Sequence, residues 1–161
     1  MVQTSDFENK IVPPAELSTR LRSQSRPLVF TNGVFDVLHR GHVTYLAESR
    51  AFGASLIVAL NTDWSVKRLG KGADRPVNPL EDRLAVVAAL ESVSLVTWFE
   101  EDTPLSLILI CQPDVLVKGG DWPVDQIVGA REVMDRGGSV KSIPFQFERS
   151  TTALLSRIRR T

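Results

Sequence analysis

A chain of 161 residues is long enough to bury a core of its own, so a single domain without disulfides or structural metal is expected. Lys plus Arg and Asp plus Glu number 19 each, so no net field draws the protein toward nucleic acid or an anionic membrane; any anion must be met by a local site. The longest apolar run, Leu84 to Leu90, falls far short of the roughly 20 residues of a spanning helix, and the polar N-terminus lacks a signal-peptide core, so a cytoplasmic protein with no membrane partner is expected.

Residues 1–26 are polar and carry Pro13-Pro14, which predicts a loose leader, partly disordered, with one short helix over Ala15 to Arg22 and no core of its own. Residues 27–161 read as the domain. Leu28-Val29-Phe30 is a short apolar run closed by the turn signal Asn32-Gly33, hence a buried strand meeting a loop. The next helix should run from Gly41 to Phe52 and stop at Gly53, because glycine accepts the left-handed conformation of a helix C-cap. Strands then follow at Ser55–Leu60, Leu95–Phe99, Val115–Val117 and Val140–Ile143. Helices alternate with them at Pro79–Leu90, Pro104–Cys111, Gln126–Arg136 and Thr151–Arg159. The 63–75 segment reads as a loop. This βαβ rhythm implies a doubly wound parallel sheet of about five strands, covered by helices on both faces, with ligands bound beyond the carboxyl ends of the strands. Val86, Val87 and Leu90 read as core, and the lone Cys111, flanked by Ile108, Leu109 and Ile110, reads as packing.

The only two histidines, His39 and His42, fall within 31-TNGVFDVLHRGH-42, at the first strand-to-helix turn. Backbone N–H groups and the helix dipole make such a turn an anion site. Two imidazoles three residues apart near the helix start can both donate to one phosphate, and Gly41 lets a phosphate approach the backbone. A transition-metal pair would want a third nitrogen or sulfur ligand, and only Cys111 remains, so no metal site is expected.

The pattern Gly33, Phe35, Asp36, His39, Gly41, His42 resembles G-x-F-D-x-x-H-x-G-H of the nucleotidyltransferase superfamily that includes the cytidylyltransferases and pantetheine-phosphate adenylyltransferase. Further stretches, 61-NTDWSVKRL-69, 75-RPVNPLEDR-83, 100-EEDTP-104, 117-VKGGDW-122 and 150-STT-152, resemble the D-glycero-β-D-manno-heptose 1-phosphate adenylyltransferases. The resemblance covers roughly residues 27 to 160 and implies a Rossmann-like three-layer fold. It implies an enzyme transferring AMP from ATP to the sugar phosphate, giving ADP-heptose and pyrophosphate for the lipopolysaccharide inner core. Mg²⁺ riding on the ATP phosphates, and a homo-oligomer, a dimer or higher, are implied with it. So is the stand-alone form of an enzyme that often follows a sugar kinase in one bifunctional chain. A cytidylyltransferase acting on an alcohol phosphate such as glycerol 3-phosphate, and a nucleotide-binding module without turnover, are the competing readings.

By the same resemblance His39, His42 and Lys71 are the catalytic candidates. Thr31, Asn32, Gly33, Val34, Phe35, Gly41, Lys118, Gly119, Asp121, Ser150, Thr151 and Thr152 are assigned to the nucleotide. Asp36, Asn61, Asp63, Arg68, Arg83 and Trp122 are assigned to the substrate. Several have a second reading: Asp36 as an internal brace of its loop, Ser150 as a plain helix N-cap, and Arg83 as the partner of Glu81 or Asp82. Among Lys67, Arg68, Lys71 and Arg75 the register of the phosphate contact is open. Arg149, before Ser150, is either a further phosphate contact or a solvent-facing side chain.

Overall fold

Five parallel strands in the order β3-β2-β1-β4-β5 form the centre of the computed structural model, which describes residues 6–70, 72–147 and 150–160. They are β1 (Leu28–Gly33), β2 (Ser55–Asn61), β3 (Leu95–Phe99), β4 (Val115–Gly119) and β5 (Ser139–Ile143). Their apolar, β-branched runs suit strands covered on both faces. Alternation sends Phe30, Ile57, Leu95 and Leu116 into one core cluster, and Val29, Val58, Val96 and Val117 into the other. The first face is covered by α1 (Leu17–Leu21), α5 (Leu105–Cys111) and α6 (Ala130–Asp135). The second is covered by α2 (Arg40–Arg50) and α4 (Leu80–Ala88). The three-layer α/β reading of the sequence therefore holds. The strand order reverses between β1 and β4, and a crevice is expected at that point.

Several segments differ from expectation for identifiable reasons. β1 continues to Gly33 because its ladder to β2 runs through Gly33↔Leu60. The stretch after β2 opens with a helix, α3 (Asp63–Arg68), whose N-cap Thr62 accepts a hydrogen bond from Ser65 N at 3.2 Å. The helix expected over Gln126–Arg136 is split into a 3₁₀ turn at Val124–Gln126 and α6. Gly129 between them has φ 84°, and a Cβ there would lie 2.7 Å from Ile108. Val86 is half exposed on the outer side of α4, whereas Val87 is fully buried. The remaining helix, α7 (Thr151–Arg159), matches its expected span.

Residues 6–26 pack onto the domain instead of forming a loose leader. Ile11 makes a parallel bridge to Val96, and Val12 N donates to Val96 O at 2.8 Å, so the segment covers the edge of β3. Val12 and Leu17 are wholly buried in the first core. A polar composition masked these anchors, which Phe7, Ile11 and Leu21 reinforce by packing against the two cores.

Leu17→Ala should therefore destabilise the domain by about 2–5 kcal/mol, the range for a buried leucine, and urea denaturation reads it directly. Cys111 is buried in the same core, which pushes its thiol up from 9.0 to about 12. The unfolded thiol ionises first as pH rises, so the folded state binds more protons and loses stability on the alkaline side, by up to about 1.4 kcal/mol per pH unit. Cys111→Ala should flatten the stability profile between about pH 9 and 10, measured as urea midpoints against pH.

Candidate active site

At the carboxyl ends of the strands, alternation separates two groups of side chains. Asn32 at the end of β1, Asn61 at the end of β2 and Lys118 near the end of β4 line a cleft of about 460 Å³. Phe99, Leu69, Thr103, Pro104, Ile127 and Val128 supply its apolar walls, with Asp102, Trp122 and Gln126 as further polar or aromatic lining. The cleft crosses the strand-order reversal, where a doubly wound sheet opens. Of its lining, Asp102, Thr103 and Gln126 were not singled out from sequence, although Asp102 and Thr103 lie in the quoted stretch 100-EEDTP-104. They carry no spacing pattern of their own, and only the turn after β3 and the split of α6 bring them in.

On the other face Gly33 and Gly119 end β1 and β4. A Cβ on Gly33 would lie 2.9 Å from the Phe35 ring, and one on Gly119 would lie 2.8 Å from Phe145 and 3.2 Å from Tyr45. Both glycines are thus required by close packing. Phe35 meets the ring of His42 edge-on at 5.5 Å, and His39 and His42 stack at 3.9 Å with planes 20° apart. His39 is the N-cap of α2, and its carbonyl accepts from His42 N at 3.0 Å. A Cβ on Gly41 would stand 3.0 Å from the His39 ring, so the glycine makes room for that imidazole. The two histidines thus share one helix N-terminus, where the macrodipole favours an anion.

The loop between β1 and α2 is held open at a conformational cost. Phe35 and Val37 have φ of 49° and 50°, a region that a β-branched residue rarely enters. Asp36, between them, is buried and braces the loop. Its carboxylate accepts from Arg75 Nε at 2.9 Å, Val77 N at 2.8 Å and Asn78 N at 3.0 Å. Its carbonyl accepts from Thr151 Oγ1 at 2.7 Å, which ties α7 to the same loop. The internal reading of Asp36 is the one the geometry supports, because every donor around its carboxylate is the protein's own.

Arg83 likewise spends its guanidinium inside the protein. It donates to Asn78 O (3.1 Å), Val34 O (2.8 Å), Asn61 O (2.9 Å) and Asp63 Oδ1 (2.6 Å). Its ion-pair partner is Asp63, not Glu81 or Asp82. Arg83 and Asp63 thus position the cleft wall at Val34 and Asn61. Thr31 is fully buried and shares a 2.6 Å hydrogen bond with the Tyr45 hydroxyl, so it supports the strand end from below. Burial pushes that hydroxyl up to about 12, and its hydrogen bond to Thr31 pulls the other way.

The remaining candidates fall into place unevenly. Ser150 Oγ caps α7 by accepting from Ala153 N at 3.0 Å, the plain-cap reading, and Thr152 is exposed beside it. Asp121 is exposed in the turn after β4. That turn is fixed by Trp122 Nε1 donating to Gly119 O at 3.1 Å and by Ser142 Oγ donating to Gly120 O at 2.6 Å. Arg68 pairs with Asp102 at 2.9 Å and also donates to Glu100 O; Lys67 is exposed on α3. Lys71 and Arg149 lie outside the described residues.

A family model for cytidylyltransferase-like proteins matches residues 30–155, which holds both histidines, the cleft and the braced loop. The chain belongs to the cytidylyltransferase-like family. It is 54% identical over 160 residues to a D-beta-D-heptose 1-phosphate adenylyltransferase of Bordetella bronchiseptica, covering 98% of this chain and 99% of that one. It is 51% identical to the bifunctional protein HldE of Hahella chejuensis across 86% of this chain but only 29% of that protein. Among solved structures, a lipopolysaccharide core biosynthesis protein from Thermoplasma volcanium superposes with TM-score 0.60 at 27% identity, over 76% of this chain and 98% of that one. A pantoate-beta-alanine ligase from Francisella tularensis superposes with TM-score 0.58 at 14% identity, over 94% and 72% of the two chains, a likeness of fold alone.

If this cytidylyltransferase-like loop depends on the buried Asp36–Arg75 pair, breaking it should be costly. Asp36→Asn should destabilise the protein by about 3–5 kcal/mol in urea denaturation. Arg75→Met should cost a similar amount, and the double variant less than the two together, the signature of a coupled pair.

Proposed function

We propose that this protein is a nucleotidyltransferase that transfers AMP from ATP to D-glycero-β-D-manno-heptose 1-phosphate, giving ADP-heptose and pyrophosphate. The observation that carries the reaction type is the stacked pair His39 and His42 at the N-terminus of α2, beside a cleft across the strand-order reversal. The substrate rests on the 54% identity to the named adenylyltransferase over nearly the whole of both chains.

An oxygen of the sugar phosphate attacks the α-phosphorus of ATP, and the bond from that phosphorus to the β-phosphate oxygen breaks, releasing pyrophosphate. No protein nucleophile is needed; the work is positioning and stabilisation of charge on oxygen. The imidazoles of His39 and His42, with the first-turn N–H groups of α2, hold the α-phosphate and the departing pyrophosphate. The N-terminus of α7, tied to the same loop through Thr151 and Asp36, faces the outer phosphates. Lys118 draws the sugar phosphate into the cleft. Trp122 packs against its ring.

Mg²⁺ fits this scheme as a passenger of ATP, because it takes most of its ligands from phosphate oxygen and water and needs no protein cage. Asp36 is saturated by its own donors, so the ion would take its ligands from phosphate oxygen and water. When bound, the ion would neutralise charge on the phosphates. Use of ATP and of a sugar phosphate supports a cytoplasmic location, and no helix among the described residues is long and apolar enough to cross a membrane. A homo-oligomer belongs to the same proposal, by the family resemblance.

Pyrophosphate release with Mg²⁺ should occur with ATP and the heptose 1-phosphate, and not with CTP and glycerol 3-phosphate; the opposite pairing overturns the substrate assignment. His39→Ala and His42→Ala should each lower kcat by roughly 10²–10³ while ATP affinity changes only a few-fold. Full turnover by either variant would remove the histidines from the reaction.

A further inference from the structure

The geometry points to Asp102, held by Arg68, as the group that reads the far end of the acceptor: the two-carbon diol arm by which a heptose exceeds a pyranose ring. The inference rests on the reading of the cleft as the acceptor site. Along the strand ends the cleft runs from β4 through β1 and β2 to β3, with Lys118 near one end and Asp102, just past β3, at the other. Neighbouring strands lie about 4.8 Å apart, so the path from β1, where the histidines begin α2, to β3 is roughly 10 Å. That is longer than a pyranose ring and leaves room for an extended substituent. The cleft is also polarised. A cation at the β4 end attracts the phosphate, while at the β3 end a carboxylate paired with Arg68 presents an oxygen that accepts from hydroxyls. The sugar is therefore held in one direction, with its phosphate toward the histidines and its arm toward Asp102.

Asp102 is distinct from the acidic residues before it. Glu101 is occupied locally, accepting from Glu100 N at 3.0 Å and from Ser106 Oγ at 3.2 Å. Asp102 has one oxygen fixed by Arg68 Nε at 2.9 Å, and Arg68 is itself anchored by Glu100 O. The second oxygen, Oδ2, makes no hydrogen bond among the described residues, and the residue lines the cleft. A carboxylate oriented by a neighbouring guanidinium, with its other oxygen available, suits a vicinal diol, whose two O–H groups both donate. Arg68, assigned from sequence to direct substrate contact, is in this arrangement a positioning residue for Asp102.

The test compares pyrophosphate release from ATP with D-glycero-β-D-manno-heptose 1-phosphate and with β-D-mannose 1-phosphate, which lacks the seventh carbon. The wild type should prefer the heptose. Asp102→Asn and Asp102→Ala should each lower the heptose-to-mannose ratio of kcat/KM by roughly tenfold to a hundredfold, mainly through the KM for the heptose, with the KM for ATP unmoved. Arg68→Gln should lower the same ratio less. A ratio unchanged in the Asp102 variants while the wild type still turns over the heptose would overturn this inference and leave the adenylyltransferase reading standing. Equal losses for both sugars would assign Asp102 a merely structural role. No turnover of either sugar by the wild type would overturn both.

Discussion

The site hangs on two buried side chains of opposite charge that share one peptide segment. Asp36 accepts from the N–H of Asn78, and Arg83 donates to the C=O of the same residue. Through this junction the β1–α2 loop, the end of β2, the start of α3 and the start of α4 form one connected polar network. Each charge sits where solvent cannot screen it, so the loss of Arg75 would leave Asp36 uncompensated, and the loss of Asp63 would do the same to Arg83. Such networks are stable when every member is satisfied, and this one nearly saturates both groups. Its product is a loop held with two left-handed residues, Phe35 and Val37, flanking Asp36, a shape the local sequence would not adopt on its own.

That network also explains which parts of the site were legible in the sequence. The spacing of His39, Gly41 and His42 was readable because helix geometry alone puts those residues on one terminus. The five strands were readable because their apolar runs are short and punctuated. Asp36, Arg83 and Thr31 are assigned to ligands by resemblance, with an internal role open for Asp36 and Arg83. Their burial and internal partners arise from segments up to 115 positions apart, as in the Thr151–Asp36 bond, and local pattern carries no trace of that. α3 was missed because the glycines at 70 and 72 dominated the reading of the stretch, although Thr62 followed by Asp63 is a helix-start signal in its own right. The short helix of the leader is present as α1, but its docking was not legible for a similar reason: Ile11, Val12 and Leu17 are few apolar residues in a polar stretch, and the edge of β3 and the first core give them a place to go.

The period of two along a strand has a further consequence at the point where the order reverses. Asn32-Gly33 ends β1 and Lys118-Gly119 ends β4, so the adjacent strands finish in the same way: a polar side chain toward the α5 face, then a glycine toward the α2 face. The polar pair opens the cleft. The glycine pair leaves space that Phe35 and Phe145 fill, which sets the wall against which the histidine stack rests. One two-residue pattern, placed twice on neighbouring strands, thus shapes both the cleft and the wall of the histidine stack at the same carboxyl ends of the sheet.

The two halves of the site meet at the carboxyl ends of the strands but are built by different residues. A substitution at Asp102, Gln126 or Trp122 changes what fills the cleft without altering α2, because these residues come from the segments after β3 and β4. A substitution at the histidines changes the phosphate chemistry without reshaping the cleft. What cannot vary freely is the braced loop between the two halves, since Arg83 grips Val34 on one side and Asn61 on the other, and both line the cleft. Chemistry and selectivity are separable here only because Asp36 and Arg83 fix the distance between them.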